Sequence, residues 1–132
     1  MISKHLSKKE YFREFEITPT LEANAKALAE NVFEPLRAYM GEPIRCNSGY
    51  RSPEYNKKIG GAKNSQHTTA EAIDLSCSDN KKMFDFIKNN LNFDQLINEF
   101  DYSWIHVSFS RVKNRKQVLK AVKVSGKTKY IS

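Results

Sequence analysis

With 132 residues, 39% of them hydrophobic and 11% aromatic, the chain can build one compact core, which excludes global disorder and makes a single domain over 1–132 the expectation. No run approaches the roughly 20 apolar residues of a membrane helix, so no membrane partner is expected. The net charge of +7 is unevenly placed: residues 111–132 carry eight Lys/Arg and no Asp/Glu.

The opening "MISKHLSKKEYF" has a basic start with no apolar run behind it. It does not read as a secretory signal, and synthesis in the cytoplasm is expected. His5 is expected in a frayed terminus, outside any site. "TPT" at 18–20 opens the first clear element, with Thr18 as cap and Pro19 at the first helical position. Leu21, Ala25, Leu28, Val32 and Leu36 then recur at helical steps. Pro35 should kink this helix or end its regular part, and Gly41 with Pro43 closes it.

"IRCNS" (44–48) predicts a short strand. Residues 49–65 are rich in Gly, Pro, Asn and Ser and predict a long loop that can carry one helical turn, of a length usually tied to function. "AIDLSC" (72–77) alternates, with Ile73, Leu75 and Cys77 on one face and Ala72, Asp74 and Ser76 on the other. Asp79 caps a helix to about residue 90, with Met83, Phe84 and Ile87 inward. "DQLINEF" (94–100) and "WIHVSF" (104–109) are further strands, the second with Trp104, His106 and Ser108 on its polar face. "VLKAVKV" (118–124) ends the sheet. Helices come early and between strands, which predicts an α+β fold with a mostly antiparallel sheet and flanking helices. The two cysteines, Cys46 and Cys77, lack zinc-finger spacing and are too few for a disulfide scaffold; buried thiols on strands are expected, with a disulfide or a ligand role as alternatives.

Parity singles out one constellation. Asp74 and His106 lie on the polar faces of two strands, and His67 lies on the loop entering the first. If those strands are neighbours, two imidazoles and a carboxylate converge. Two His and one Asp form a three-ligand zinc set with a fourth position left for water, the pattern of catalytic rather than structural sites. Local satisfaction of each histidine within the fold is the competing reading.

"SQHTTAEAID" (65–74) resembles the S-x-H-x-x-G-x-A-x-D motif of the zinc D-alanyl-D-alanine carboxypeptidases and their bacteriophage endolysin relatives, a peptidase group with the hedgehog/DD-peptidase fold. "NSGYRSPEYNKKIGGAKNSQH" is similar to the family's S-G-Y-R-S/T-P...N...G-G-A run, and "FDQLINEF....WIHVSFS" to its closing Q-L-I...W-x-H-V-S segment. The resemblance covers roughly residues 18–120. It implies a zinc metallopeptidase with Zn2+ held by His67, Asp74 and His106. Arg51 would face the active site, where a guanidinium suits a peptide carboxylate or a developing oxyanion. It further implies peptidoglycan stem peptides as substrates, cut as a D-Ala-D-Ala carboxypeptidase or an L-Ala-D-Glu endopeptidase cuts them. A phage or prophage lysis enzyme, acting on the cell wall after release, would be of this kind.

Two positions depart from the family pattern. The motif glycine is Ala70, which takes a positive φ only at a cost. Ser103 stands where many relatives place an acidic residue or His, so the general base must come from elsewhere. Glu99 matches the acidic residue that often follows Q-L-I and is the first choice; Asp101 is the second. The serine also keeps open a non-catalytic module of the same fold that binds zinc or wall peptide. The basic stretch 111–132 could hold anionic wall polymers. Tyr130 is its only aromatic, too few for base stacking, so nucleic acid is not expected as a partner. A monomer is expected.

Overall fold

The computed structural model describes residues 1–132. Its strands are β1 (Arg45–Ser48), β2 (Ala72–Ser76), β3 (Gln95–Glu99), β4 (Trp104–Ser108), β5 (Gln117–Val124) and β6 (Lys127–Ile131). They form one sheet in the order β1-β2-β4-β3-β5-β6. Only β3 and β5 run parallel; every other neighbouring pair is antiparallel. The α+β architecture with a mostly antiparallel sheet is therefore the observed one.

The helices are α1 (Lys8–Phe12), α2 (Pro19–Leu28), α3 (Glu34–Met40), α4 (Pro53–Lys58) and α5 (Asn80–Asn90). Thr18 caps α2 by accepting from Leu21 N at 3.3 Å. Asp79 caps α5 through Lys82 N at 3.0 Å. Between α2 and α3 the backbone widens into a π turn over Ala29–Phe33, where Glu34 N–H bonds to Ala29 O. Pro35 explains it: its ring excludes the carbonyl four residues back and it has no N–H to give, so the ladder is re-spaced just before it. Gly41 ends α3 at φ 67°, the left-handed value that glycine takes without penalty.

Alternation sorts the sheet into two faces. Ile73, Leu75, Leu96, Ile105 and Val107 join Leu28, Val32, Leu36, Met83 and Ile87 from the helices in one buried cluster. Each such aliphatic side chain contributes about 1.5–3 kcal/mol by leaving water. The other face carries the polar partners of those residues and stays open.

Two expectations need correction. The N-terminus is packed, not frayed: Ile2, Leu6, Tyr11 and Phe12 are buried, and Ser7 and Glu10 form a capping box on α1. His5 pairs there with Glu34 at 2.7 Å. The 49–65 loop carries its helical turn as α4, six residues long and capped by Ser52. Finally, β5 does not end the sheet. Ser125 and Gly126, at φ 51° and 78°, make a tight turn into β6, whose polar sequence hides its strand character.

Candidate metal centre

Register brings the first two site residues together. Asp74 in β2 pairs directly with His106 in β4, so both side chains leave the sheet on its open face. His67 arrives from a 3-10 turn, Gln66–Thr69, that Ser65 caps by accepting from His67 N at 3.2 Å. Ala70 closes this turn at φ 59°, so it occupies the left-handed conformation that glycine takes without penalty and alanine only at a cost. Asp74 Oδ1 then lies 3.0 Å from His106 Nδ1 and 3.3 Å from His67 Nε2. One ligand atom from each of the three residues falls within 4.8 Å of the others.

The hydrogen bonds test whether this group suits a cation. His67 Nδ1 is 2.7 Å from the Gly49 carbonyl, which can only accept. That nitrogen therefore carries the proton, and Nε2 of the neutral ring is a bare lone pair. It nevertheless faces a carboxylate oxygen. Two acceptors at 3.3 Å are reconciled by a positive charge between them, a second proton on the ring or a metal ion. Tetrahedral zinc with bonds of 2.0–2.2 Å spaces its ligand atoms about 3.3–3.6 Å apart; the His67–Asp74 spacing of 3.3 Å meets this and the His106–Asp74 spacing of 3.0 Å falls a few tenths short, so the donor set suits the metal after a small adjustment. Asp74 is ready as an anion. Burial opposes its ionisation, but the two imidazoles set against it, His106 and His67, outweigh it and hold the carboxyl well below the usual range.

Gly49 has a structural reason to be glycine. A Cβ there would lie 2.4 Å from the Tyr11 carbonyl oxygen and 2.5 Å from Tyr11 Cδ1. Tyr11 is fully buried in α1, accepts from Tyr50 N at 2.9 Å and donates its phenol to Ala72 O at 2.8 Å. The N-terminal helix thus supports the loop that orients the first ligand.

The same loop sets Arg51. Its Nε donates to Ser48 Oγ at 3.0 Å and its Nη1 to Asn56 Oδ1 at 3.2 Å, which leaves Nη2 3.5 Å from Asp74 Oδ2. Asn56 is buried in α4 and also donates to Ala62 O at 2.7 Å. A Cβ on Gly61 would lie 2.0 Å from Asn56 Oδ1, so the second glycine of "GG" makes room for this contact. The run from Ser48 to Ala62 is in effect one polar clamp on Arg51.

His67, Asp74, His106 and Arg51 line one cavity of about 510 Å³ on the open face. Glu99 lines it too, at the end of β3, with Trp104 as its partner in β4. The residue is largely buried, its carboxylate opens into the cavity and accepts no hydrogen bond from the protein, and burial raises its pKa above the ordinary value. Asp101 is exposed and does not line the cavity. It sits in a turn where Phe100, Asp101 and Tyr102 all have positive φ, 51°, 57° and 61°. The turn is held by Asn98 Oδ1 accepting from Tyr102 N and by Asn80 Nδ2 donating to Tyr102 O, at 2.6 and 2.8 Å. Ser103 is also exposed, its hydroxyl tied to Phe100 O at 2.7 Å.

The model for peptidase M15 matches residues 4–108. The chain belongs to the peptidase M15 family. No curated protein matches the chain. The matched span of this M15 peptidase holds the three candidate ligands, Arg51 and Glu99, and it includes α1, which lies outside the span of the motif resemblance.

Several residues of this peptidase's cleft escape a reading of the sequence. Asp94 is buried and receives Arg115 bidentately, Nε and Nη2 both at 2.9 Å, together with Gln66 Nε2 at 2.9 Å. The Arg115 hydrogen bonds, ahead of the opposing effect of burial, hold its carboxyl down at about 2. Gln66 is the neighbour of His67, so this cluster braces the ligand turn from the far side. Asp94 in "FDQ" and Arg115 lie 21 residues apart, and no local spacing pairs them. The C-terminal hairpin contributes Leu119, Thr128 and Tyr130 to the cavity. Cys46 and Cys77 are free and half-buried, and neither lines the cavity. Cys46 lies on β1, and burial pushes its thiol up to about 12; Cys77 stands one residue beyond β2.

Proposed function

We propose that this M15 peptidase is a zinc-dependent hydrolase of peptide bonds in peptidoglycan stem peptides, of the D-Ala-D-Ala carboxypeptidase or L-Ala-D-Glu endopeptidase type, serving phage or prophage cell-wall lysis. The observation that carries the reading is the meeting of a bare His67 Nε2, Asp74 Oδ1 and His106 Nδ1 in a cavity that also holds a carboxylate free of protein partners. Zinc held by those three atoms supplies a Lewis acid that acidifies water and polarises a carbonyl.

The chain's own residues supply the rest. Glu99 takes the proton of the attacking water and returns it to the leaving amine. Burial brings its pKa toward the operating pH, where proton transfer in both directions is easiest. Arg51, clamped by Ser48 and Asn56, presents donors to the carbonyl oxygen as it gains charge or to a substrate carboxylate. Gly49 holds the His67 ring so that Nε2 keeps its aim. Asp101, solvated in a tightly held turn, has no part in this scheme.

The test is a turnover assay on the full chain after zinc repletion, with stem pentapeptide as substrate. Release of free D-alanine marks the carboxypeptidase type, and a new D-glutamyl amino terminus marks the endopeptidase type. Neither product, in protein shown to hold zinc, favours a module that binds without cutting.

A further inference from the structure

The chain continues for 24 residues past the family match (109–132), and the structure shows where they go. Strand β5 adds to the sheet alongside β3, and β6 folds back on β5 as the outer edge. This hairpin extends the open face of the sheet and forms one wall of the cavity.

Register identifies the residue that matters on that wall. Glu99 pairs with Ala121, and Ala121 pairs with Tyr130. The three form one row across β3, β5 and β6, with side chains on the same face. Neighbouring strands are about 4.8 Å apart, so the outer two Cα atoms are separated by roughly 9.5 Å. The residue between them is alanine, and it is fully buried. A larger side chain at 121 would fill the gap. With only a methyl there, the space between Tyr130 and Glu99 stays open, and both residues line the cavity. The phenol's pKa is raised by burial first and then by the Glu99 and Asp74 carboxylates. The Tyr130 hydroxyl bonds to no protein group, although the ring is half exposed. A free phenol thus faces a free carboxylate across the space where a substrate must lie.

We infer that Tyr130 is a substrate-binding residue of this cleft, its phenol donating a hydrogen bond to the main chain of the peptide held over Glu99. The inference rests on the proposed peptidase reading. It makes the C-terminal hairpin part of the active site in addition to any role of its lysines.

The test compares Tyr130→Phe and Tyr130→Ala with wild type on the stem pentapeptide, measuring kcat and KM separately. Binding of the same peptide to zinc-loaded Glu99→Gln protein, with and without Tyr130→Phe, gives Kd without turnover. Loss of one hydrogen bond should raise KM and Kd about three- to tenfold in Tyr130→Phe, with kcat little changed. Tyr130→Ala should raise them further. Zinc content and Tm should match wild type, because the ring is half exposed on an edge strand. Unchanged KM and Kd in both variants, or a loss confined to kcat, overturns the inference while wild-type turnover leaves the peptidase reading standing. Wild-type protein that neither cleaves nor binds the peptide overturns both.

Discussion

His67 Nδ1 sits 2.7 Å from the carbonyl of Gly49, and that contact decides what the other ring nitrogen can do. It commits Nε2 to being an acceptor aimed at Asp74. We therefore expect His67→Ala, Asp74→Ala and His106→Ala each to hold far less than stoichiometric zinc by metal analysis. His5→Ala, whose ring is 2.7 Å from Glu34 outside the cavity, should bind normally. Normal zinc in all three ligand variants would end the site hypothesis. Chelation should also lower Tm, since a ligand that binds only the folded state stabilises it.

Gly49→Ala tests the support behind that ligand. The new methyl would meet Tyr11 backbone and ring atoms at 2.4–2.5 Å. Overpacking of this kind costs about 1–3 kcal/mol, visible as a lower Tm. Displacing the carbonyl that orients His67 should weaken zinc about 10- to 100-fold in a competition titration. Unchanged affinity would show that the histidine is held by something else.

Glu99→Gln should keep both fold and zinc yet lose about 10²-fold or more in turnover, the usual scale for losing general acid–base help. Asp101→Asn should cost much less, because Asp101 is exposed and outside the cavity. A dead Asp101→Asn enzyme would swap the two roles. Full activity in both variants would refute the mechanism even with the metal site intact.

The Asp94–Arg115 pair should appear in acid unfolding. A carboxyl held down near 2 in the folded state contributes stability that is fully present above its unfolded pKa, about 4. That contribution is lost as pH falls from about 4 to 2. Wild-type Tm should drop more steeply across this window than the Tm of Asp94→Asn, while at pH 7 the variant should be the less stable. Parallel acid profiles would mean that the pair adds nothing.

Lys127 and Lys129 are exposed on the hairpin face opposite Tyr130. If that face holds anionic wall polymers, sedimentation with intact walls should weaken as salt rises to physiological levels. Lys127→Gln with Lys129→Gln should weaken it further and leave turnover of a small soluble peptide unchanged. Wall binding indifferent to salt would remove the lysines from this role.

Much of the site is legible in the sequence because it is local or periodic. Alternation puts Asp74 and His106 on polar strand faces, and strand pairing makes them neighbours. Three motif runs in order point to the family without the fold. Cap residues mark α2 and α5 within a residue or two. The order of the sheet is not legible, because β3 meets β5 in parallel and nothing in either strand states its partner. The support under Gly49 comes from a helix whose apolar residues look like a loose terminus, and it depends on Tyr11 reaching a loop 38 residues later. The same holds for Arg115 on Asp94 and for Tyr130 across Ala121 from Glu99. Residue type and spacing determine which groups can do chemistry. Which of them face one another is decided by long-range pairing, where burial of the whole apolar face of the sheet selects a register that no short stretch encodes.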